Sequence, residues 1–412
     1  MIKGTYIILS YCFAGVSGGS AYVSNKMTFL ENRGYKVAVF DGGGGRCSEV
    51  LFQNLKQFKN NRYLELYFRP TLFCKKHQEH LLDRLIEDIN GVEGNVIVES
   101  NCMDISFWGE MLAQRLHGRH IIFDLSENSI INEDAIFDFY KFKYDRNEVF
   151  SITKEASRLL FNKYYDIPDP EKRFLSANCW VYPQDVPCDR LDDITEDYKI
   201  LVFSRYKLFF PNMIKGFCEF AKAHCDKTIA LLFLGVNGLD NALARQLEEF
   251  PNLHPIYFGN KLPPPKSLFQ IADIITATAG CASMSYWIGY NVISWDATKG
   301  QPLGVVGYTT TSTLMAKETD NHEESFAQIL EDCLVNKKYN DPRVLDIPKS
   351  NRGSDFQLAL AVEHCNKQYW TRMDEIIPYR KACRKIDILV ALRLYRISAW
   401  ARYGKIKRIK MV

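Results

Sequence analysis

The sequence predicts an α/β protein made of two Rossmann-like, doubly wound domains that face a central cleft, followed by C-terminal helices. Three observations predict this class: a length of 412 residues, strand segments that are apolar throughout, and helix-like segments between them. A chain of this length ordinarily divides into two domains. Strands that are apolar on both faces are typical of parallel sheets covered by helices on both sides.

The first half of the chain alternates strands and helices. The apolar segment Thr5–Tyr11 predicts a first strand, and Gly15, Gly18 and Gly19 mark the turn into a helix that Gly34 ends. This alternation predicts a first Rossmann-like domain over residues 1–165. Further strands are expected at 36–41, 63–68, 95–100, 120–125 and 148–153, and helices at 72–89 and 106–116.

The pattern lapses over residues 166–198, where prolines and an acidic cluster at 189–197 predict a linker. A second α/β series then predicts a second Rossmann-like domain over 199–350, with a helical segment at 351–377. Its expected strands are 199–204, 228–234, 254–258, 274–277 and 291–296, and its expected helices are 212–223, 242–249, 266–272 and 281–289.

The net charge of +3 conceals a basic C-terminus. Residues 378–412 hold eleven Lys or Arg and one acid, Asp387, so the remainder of the chain is net acidic. Apolar residues from Ile388 to Ile406 recur at helical spacing, which predicts an amphipathic helix lying on anionic lipid. Nucleic acid is the alternative partner; the acidic body makes us expect none.

Twelve scattered cysteines, with no CxxC pair, indicate a reducing compartment. The apolar run after Lys3 could start a signal peptide, but we interpret it as the first buried strand. No apolar run reaches the length of a membrane span. We therefore expect a cytoplasmic protein bound peripherally to the inner face of the cell membrane.

The order of these segments resembles that of the GT-B glycosyltransferases. Gly18 to Gly42 (GGSAYVSNKMTFLENRGYKVAVFDG) is similar to the family's opening, in which two glycines start the first helix. Tyr198 to Lys207 (YKILVFSRYK) resembles the first donor-domain strand with its arginine, here Arg205. The run from Tyr257 to Asp296 resembles the approach to the family's phosphate-binding helix. The resemblance covers residues 5–335. It implies that 1–165 is the acceptor-side domain, that 199–350 is the nucleotide-sugar-binding domain, and that a nucleotide-sugar binds in the cleft between them.

The donor site is expected at the start of that phosphate-binding helix. Small residues there expose backbone N–H groups and the positive end of the helix dipole to a diphosphate. Arg205 follows a strand and could pair with the leaving diphosphate, assisted by Lys207. The predicted nucleotide-sugar-binding residues are Gly18, Gly19, Arg205, Lys207, Gly280, Cys281, Ala282, Ser283, Ser285 and Asp296.

An inverting transfer needs a base for the acceptor hydroxyl. The candidates are Asp124 and Glu127, in and after the HIIFDL segment, and Glu99, which ends NVIVES. Retaining relatives carry two glutamates beside the phosphate helix, whereas Thr276–Ile288 (TATAGCASMSYWI) contains no acid. The stereochemical outcome therefore stays undetermined.

No metal site and no required cofactor are expected. The spacing Cys74-xx-His77-xx-His80 could place zinc ligands on one helix face, but no fourth ligand accompanies it and its neighbours are charged.

The resemblance thus implies a glycosyltransferase of bacterial surface-polysaccharide synthesis. It would move a sugar from a nucleoside diphosphate donor, UDP- or GDP-linked, to a glycan or lipid-linked acceptor. Two alternatives stay open: a nucleotide-sugar epimerase of the same fold, and a sugar-binding or scaffolding homologue without activity.

Overall fold

The computed structural model describes residues 3–11, 17–42, 61–126, 129–161, 167, 173–175, 177, 179–205, 208–316, 324–345 and 368–376. The chain forms two compact units, one from Met1–Cys179 with Ser350–Val412 and the other from Trp180–Lys349. Each unit holds a six-stranded sheet. The predicted α/β class with two Rossmann-like halves is confirmed, while the predicted domain bounds stay predictions.

The sheet of the first unit is parallel throughout, with strand order β3-β2-β1-β4-β5-β6. The order reverses between β1 and β4, where doubly wound folds bind their ligands at the carboxyl ends of the strands. The strands are β1 Gly4–Ser10, β2 Tyr35–Asp41, β3 Asn61–Arg62, β4 Asn95–Ser100, β5 Arg119–Asp124 and β6 Val149–Ser151. The helices are α1 Gly18–Asn32, α2 Lys75–Ile89, α3 Met103–Arg115, α4 Asp134–Asp145 and α5 Lys154–Leu160, with 3₁₀ turns at Leu64–Tyr67 and Pro70–Leu72.

Burial explains why these segments form this sheet. All seven residues of β1 are buried, because the flanking strands and the helices on both faces exclude water. Helix α2 buries one stripe, Leu81, Leu82, Leu85 and Ile89, and leaves its charged face in solvent. Each sheet face therefore has its own apolar core.

The sheet of the second unit has strand order β12-β11-β10-β7-β8-β9, and only the β11–β12 pair among its hydrogen-bonded strands is antiparallel. Its reversal lies between β7 and β10. The strands are β7 Tyr198–Phe203, β8 Ile229–Leu234, β9 Leu253–Gly259, β10 Ile274–Ala277, β11 Val292–Trp295 and β12 Pro302–Val305. The helices are α6 Phe210–Ala223, α7 Asn241–Glu248, α8 Lys266–Ile271, α9 Ala279–Trp287 and α10 Phe326–Leu330, the last continued by a π turn at Glu331–Val335.

Most predicted segments are confirmed to within a few residues, but the strand expected at 63–68 is wrong. Strand β3 pairs with β2 for only two residues, and the chain then leaves the sheet in a 3₁₀ turn at Leu64–Tyr67. Alternation misled the prediction, because a short turn also buried Leu66 and Phe68. The sequence reading also missed α4, α5, β12 and α10. Residues 351–367 and the tail 378–412 lie outside the described part of the chain.

A short segment after the second unit packs on the first. The Tyr369 hydroxyl donates to the Gly118 carbonyl at 2.8 Å, and the Trp370 ring packs against Phe139 and Phe142. This return segment, residues 368–376, ends in a 3₁₀ turn at Met373–Glu375.

Candidate functional site

The carboxyl edge of the second sheet brings Arg205 and the start of α9 together. Ala277, which ends β10, pairs with Phe203, which ends β7. Arg205 lies two residues beyond that pair, and its side chain is exposed. Helix α9 begins two residues beyond Ala277 on the neighbouring strand. Both predicted donor-binding features therefore lie at the strand-order reversal, where ligands bind in this class of sheet.

The turn into α9 has an unusual backbone. Thr278 is extended at the N-cap, and Ala279 is left-handed with φ of 52°. Left-handed alanine is uncommon, and a left-handed residue before a helix turns successive N–H groups toward one point. Gly280 and Cys281 are half-buried at this point. The first turn of α9 has no intrahelical acceptors for its N–H groups, so it can bind an anion.

The other predicted residues of α9 point elsewhere. Ala282 and Ser285 are buried, and the Ser285 hydroxyl has no hydrogen-bond partner among the described residues. Ser283 is half-buried, and its hydroxyl lies 3.2 Å from the Ala279 carbonyl oxygen, to which it donates. The structure thus places Gly280, Cys281 and Ser283 toward the outside of the helix, and Ala282 and Ser285 toward the core.

Thr313, which the sequence reading did not single out, fastens the start of α9. Its carbonyl oxygen accepts from the Ala279 N–H at 2.5 Å, and its hydroxyl lies 3.0 Å from the Ser283 hydroxyl. The Thr278 hydroxyl donates to the Trp295 carbonyl at 3.0 Å. These bonds hold the helix start rigidly against the loop after β12. No local pattern links Thr313 to a helix more than 25 residues earlier in the sequence, so only the fold reveals it.

Asp296 anchors the loop after β11. Its Oδ1 accepts from the Thr298 N–H at 2.7 Å, the Thr298 hydroxyl at 2.6 Å and the Lys299 N–H at 2.8 Å. Its Oδ2 accepts from the Ala316 N–H at 2.9 Å. Burial acts to raise the pKa of this carboxyl, but the hydrogen bonds outweigh burial and hold the pKa below its ordinary value. Both oxygens are thus engaged in joining two loops beside α9.

Gly235 sets the backbone course next to Arg205. Its φ is 118°, and a Cβ at this position would lie 2.5 Å from the Ser204 carbonyl oxygen and 3.1 Å from the Arg205 nitrogen. The Ser204 N–H donates to the Leu234 carbonyl at 3.1 Å. Only glycine fits here, so the strand ends that carry Arg205 are packed backbone to backbone. Lys207 lies outside the described residues.

In the first unit, Gly18 and Gly19 open α1 after β1. Gly18 is exposed and Gly19 half-buried. The Ser17 side chain accepts from the Ser20 N–H at 3.0 Å, and the Ser20 side chain accepts from the Ser17 N–H at 2.8 Å. This capping box satisfies one N–H of the helix start with a protein oxygen.

The predicted acid Glu99 is enclosed. Its carboxylate accepts hydrogen bonds from the Tyr6 hydroxyl, from the Tyr22 hydroxyl at 2.8 Å and from the Asn101 amide at 2.8 Å. The Lys26 ammonium lies 3.8 Å away, and both charged side chains are fully buried. Such a paired and hydrogen-bonded carboxylate stabilises the packing of α1 on the sheet.

Asp124, at the carboxyl end of β5, has the chemistry expected of a base. It is buried, and burial raises its pKa to about 6, despite hydrogen bonds from Ser129 and Ser126 that act to lower it. Oδ1 accepts from the Ser126 N–H at 2.9 Å, whereas Oδ2 has no partner among the described residues. A carboxyl that titrates near neutrality is suited to proton transfer. Glu127 lies outside the described residues.

A buried charge network that the sequence reading missed lies deeper in the first unit. The His120 Nδ1 is 2.9 Å from a Glu110 carboxylate oxygen, and the His120 Nε2 is 3.0 Å from the Ser100 hydroxyl. The Lys143 ammonium contacts Glu110 and lies 3.0 Å from Glu148. These residues come mainly from α3, β4, β5 and α4, which are separate in the sequence. No local spacing of residues therefore predicts the network.

The pKa shifts fit a structural role for this network. Burial and the Lys143 charge lower the pKa of His120 to about 4, so its ring is neutral at pH 7. Burial acts to raise the pKa of Glu110, but the Lys143 charge and the His120 hydrogen bond lower it to about 2. The series Ser100, His120, Glu110 has the order of a hydrolase triad. A Cβ at Gly109 would clash with Ser100 and His120, so helix α3 closes this series against any substrate.

In the described part of the chain, no three His, Cys, Asp or Glu side chains are grouped as metal ligands would be. His77 instead stacks on Phe73 with ring centroids 4.9 Å apart, and Cys74 is exposed at the N-cap of α2. Among the helices described, none has the length and apolarity required to cross a bilayer.

Comparison with known proteins identifies the fold. No family model matches this sequence, and no curated protein matches it. The structure is similar to a UDP-N-acetylglucosamine 2-epimerase, with a TM-score of 0.52 and 14% identity over 87% of this chain and 95% of that chain. It is similar to a glycosyltransferase from Rickettsia africae, with a TM-score of 0.51 and 13% identity over 96% and 99%. A co-structure of S. aureus MnaA with UDP gives a TM-score of 0.50 and 11% identity over 86% and 95%. The chain therefore has the GT-B fold that the order of its segments predicted.

Proposed function

We propose that the chain is a glycosyltransferase that moves a sugar from a nucleoside diphosphate donor to the hydroxyl of a glycan or lipid-linked acceptor. The observation that carries this proposal is the position of Arg205 beside the left-handed start of α9, at the strand-order reversal of the second unit. The similar structures support a nucleotide-sugar, since one is a UDP-N-acetylglucosamine 2-epimerase and another is a complex of MnaA with UDP.

The second unit holds the donor in this proposal. The diphosphate accepts from the first-turn N–H groups of α9, at Gly280 and Cys281, and pairs with the Arg205 guanidinium. As the bond between the sugar and the diphosphate breaks, its electron pair passes to the phosphate oxygen. The helix dipole and Arg205 stabilise the charge that develops there. Asp296 positions the loop beside this site through Ala316.

The first unit supplies the base. Asp124 takes the proton of the acceptor hydroxyl while that oxygen forms its bond to the anomeric carbon. Its pKa of about 6 leaves it ionised at pH 7.5 yet basic enough to accept a proton. Glu99 is less suited, because its oxygens already bind two tyrosines and Asn101. With Asp124 as a general base, the transfer inverts the anomeric configuration.

Bacterial surface-polysaccharide synthesis is the setting we propose, with the basic segment 378–412 on the inner face of the membrane. The return segment 368–376 supports this setting, because it precedes the tail in the sequence and packs on the first unit. The sequence gives the tail eleven cations for anionic headgroups.

A nucleotide-sugar epimerase is the second candidate, favoured by the similarity to a UDP-N-acetylglucosamine 2-epimerase. The same donor site would serve it. An epimerase inverts a carbon of the donor sugar without an acceptor, and in D₂O the inverted carbon gains deuterium. A transferase instead releases UDP only when an acceptor is present.

The test begins with thermal unfolding of the full chain in UDP-, GDP-, CMP- and dTDP-linked sugars. The donor that raises Tm is then followed by ¹H NMR in D₂O, with and without a detergent extract of bacterial membranes. Release of the nucleotide only when the extract is present supports sugar transfer. Formation of a deuterated epimer of the donor sugar without the extract supports epimerisation. Binding without either product indicates a scaffold. If no donor raises Tm, the proposed nucleotide-sugar site is refuted.

A further inference from the structure

Asn101 joins three strands at the strand-order reversal of the first unit. It follows β4, its N–H donates to the Leu9 carbonyl of β1 at 3.1 Å, and its carbonyl accepts from the Leu125 N–H after β5 at 3.2 Å. The residue is fully buried. Its backbone alone therefore ties the ends of β1, β4 and β5 together.

The side chain of Asn101 makes further hydrogen bonds to the same region. Its amide nitrogen donates to the Phe123 carbonyl at 3.3 Å and to Glu99 at 2.8 Å. Phe123 and Leu125 are the two neighbours of Asp124, so Asn101 holds the chain on both sides of that carboxyl. Glu99 is itself fixed by Tyr22 of α1 and by the Lys26 charge.

Two buried acceptor oxygens in this region have no hydrogen-bond donor among the described residues. They are Asn101 Oδ1 and Asp124 Oδ2. Buried acceptors are nearly always satisfied in native proteins, and exceptions cluster at functional sites. Tyr140 on α4 is the other titratable group in electrostatic contact with Asp124, and Lys26 compensates the Glu99 charge.

We propose that Asn101 is a positioning residue that fixes the orientation of the Asp124 carboxyl toward the hydroxyl it deprotonates. This inference rests on the proposed function, in which Asp124 is the base. Asn101 acts on the reaction through Asp124. Its side-chain amide donates to the carbonyl of Phe123, the residue immediately before Asp124, and the Asp124 Oδ2 has no partner among the described residues.

The test is a double-mutant cycle on the full chain with the donor and extract identified by the assay above. We expect N101A to lower kcat by about 100-fold, the effect of a displacement near 1 Å, with an unchanged KM for the donor. In the D124N background the same substitution should have no further effect, because the group it positions is gone. N252A is the control, since Asn252 likewise donates from its side-chain amide to backbone carbonyls, those of Ala221, His224 and Lys227 in the second unit.

Hydrogen exchange gives a readout that needs no turnover. The Ser126 N–H donates to Asp124, so its exchange should accelerate in N101A and stay unchanged in N252A. If N101A lowers kcat equally in both backgrounds, or leaves Ser126 protected, Asn101 does not position Asp124. If D124N alone keeps the wild-type rate, Asp124 is not the base. That result would refute the proposed mechanism itself, independently of any role of Asn101.

Discussion

The Gly235 Cα and the Ser204 carbonyl are packed so closely that a Cβ on Gly235 would lie 2.5 Å from the carbonyl oxygen. This contact fixes the backbone immediately before Arg205. Any side chain at residue 235 must displace that backbone, and the displacement is transmitted to the predicted diphosphate-binding arginine.

We expect G235A to abolish most of the Tm increase that UDP produces, because Arg205 moves away from the diphosphate. Loss of one charge-assisted hydrogen bond costs about 1.5–3 kcal/mol, or roughly 10- to 100-fold in Kd. Isothermal titration with UDP measures the change. G238A is the control, because nothing lies within 4 Å of a Cβ at that glycine. Equal UDP affinities in the two variants would contradict this account.

Removing the guanidinium directly should have a similar effect on binding without the backbone strain. R205A is expected to weaken UDP binding by about 10- to 100-fold and to leave Tm without ligand unchanged, since the Arg205 side chain is exposed. R245A removes another exposed arginine of the same unit, on α7, and should bind UDP normally. Normal UDP binding by R205A would remove Arg205 from the donor site.

Asp124 should make stability depend on pH in a defined direction. Its pKa is raised from 3.8 to about 6 in the folded chain, so the folded state favours the protonated form. This contribution is fully present below pH 4 and is lost as pH rises through 6. D124N carries no such charge and should gain stability relative to wild type by about 2–3 kcal/mol between pH 3.5 and 7.5. Urea unfolding at several pH values measures this difference.

The same variant should have a kcat lowered by about 100- to 10,000-fold at pH 7.5, because it cannot accept a proton. D145N, which alters an exposed aspartate of α4, is the control for both measurements. A pH-independent stability difference between D124N and wild type would show that Asp124 titrates normally.

The return segment should depend on the buried network. The Trp370 N–H donates to Glu110 at 2.8 Å, and Lys143 pairs with the same carboxylate. E110Q leaves the Lys143 charge partly uncompensated, which costs about 3–5 kcal/mol. We expect a lower Tm and faster hydrogen exchange at residues 369–376. E79Q breaks only an exposed pair with Arg115 and should change stability by less than about 1 kcal/mol. Unchanged exchange in E110Q would show that the segment is held by its aromatic contacts alone.

Truncation after residue 377 tests the membrane proposal. The shortened chain should lose binding to vesicles of phosphatidylglycerol while keeping its UDP-induced Tm shift, since the basic segment is removed and the donor site is not. Co-sedimentation with anionic vesicles and with neutral phosphatidylcholine vesicles provides the measurement. Equal sedimentation of the full and truncated chains on anionic vesicles would remove the tail as the anchor.

The fold could be predicted from the sequence because its signals are local. A buried parallel strand such as β8 is apolar along its whole length, and glycines end several of the elements between the strands. The segment 63–68 failed because a short run rich in apolar residues fits both a strand and a 3₁₀ turn whose apolar side chains are buried. Pairing with β2 decides between them, and pairing is not a local property.

The candidate site was predictable only in part, for the same reason. Arg205 and Asp124 could be found because each follows or ends an apolar strand, and the carboxyl ends of parallel strands are where ligands bind. Burial of Ser285 and the hydrogen bonds of Asp296 depend on neighbours distant in sequence. Asn101, Thr313 and the network around Lys143 show no pattern of their own. Their roles come from the partners that the fold brings to them.

The return segment also affects how the protein can be made. The first unit combines residues up to Cys179 with residues after Ser350, so its core includes Trp370 and Ile376. At 5–20 residues per second, the ribosome needs roughly 10–40 s to pass from one part to the other. During that time the Glu110 carboxylate lacks its hydrogen bond from the Trp370 N–H. Phe139 and Phe142 of α4 likewise lack the Trp370 ring that packs on them. The nascent first unit is therefore an expected client of ribosome-associated chaperones, and the second unit can finish folding before it.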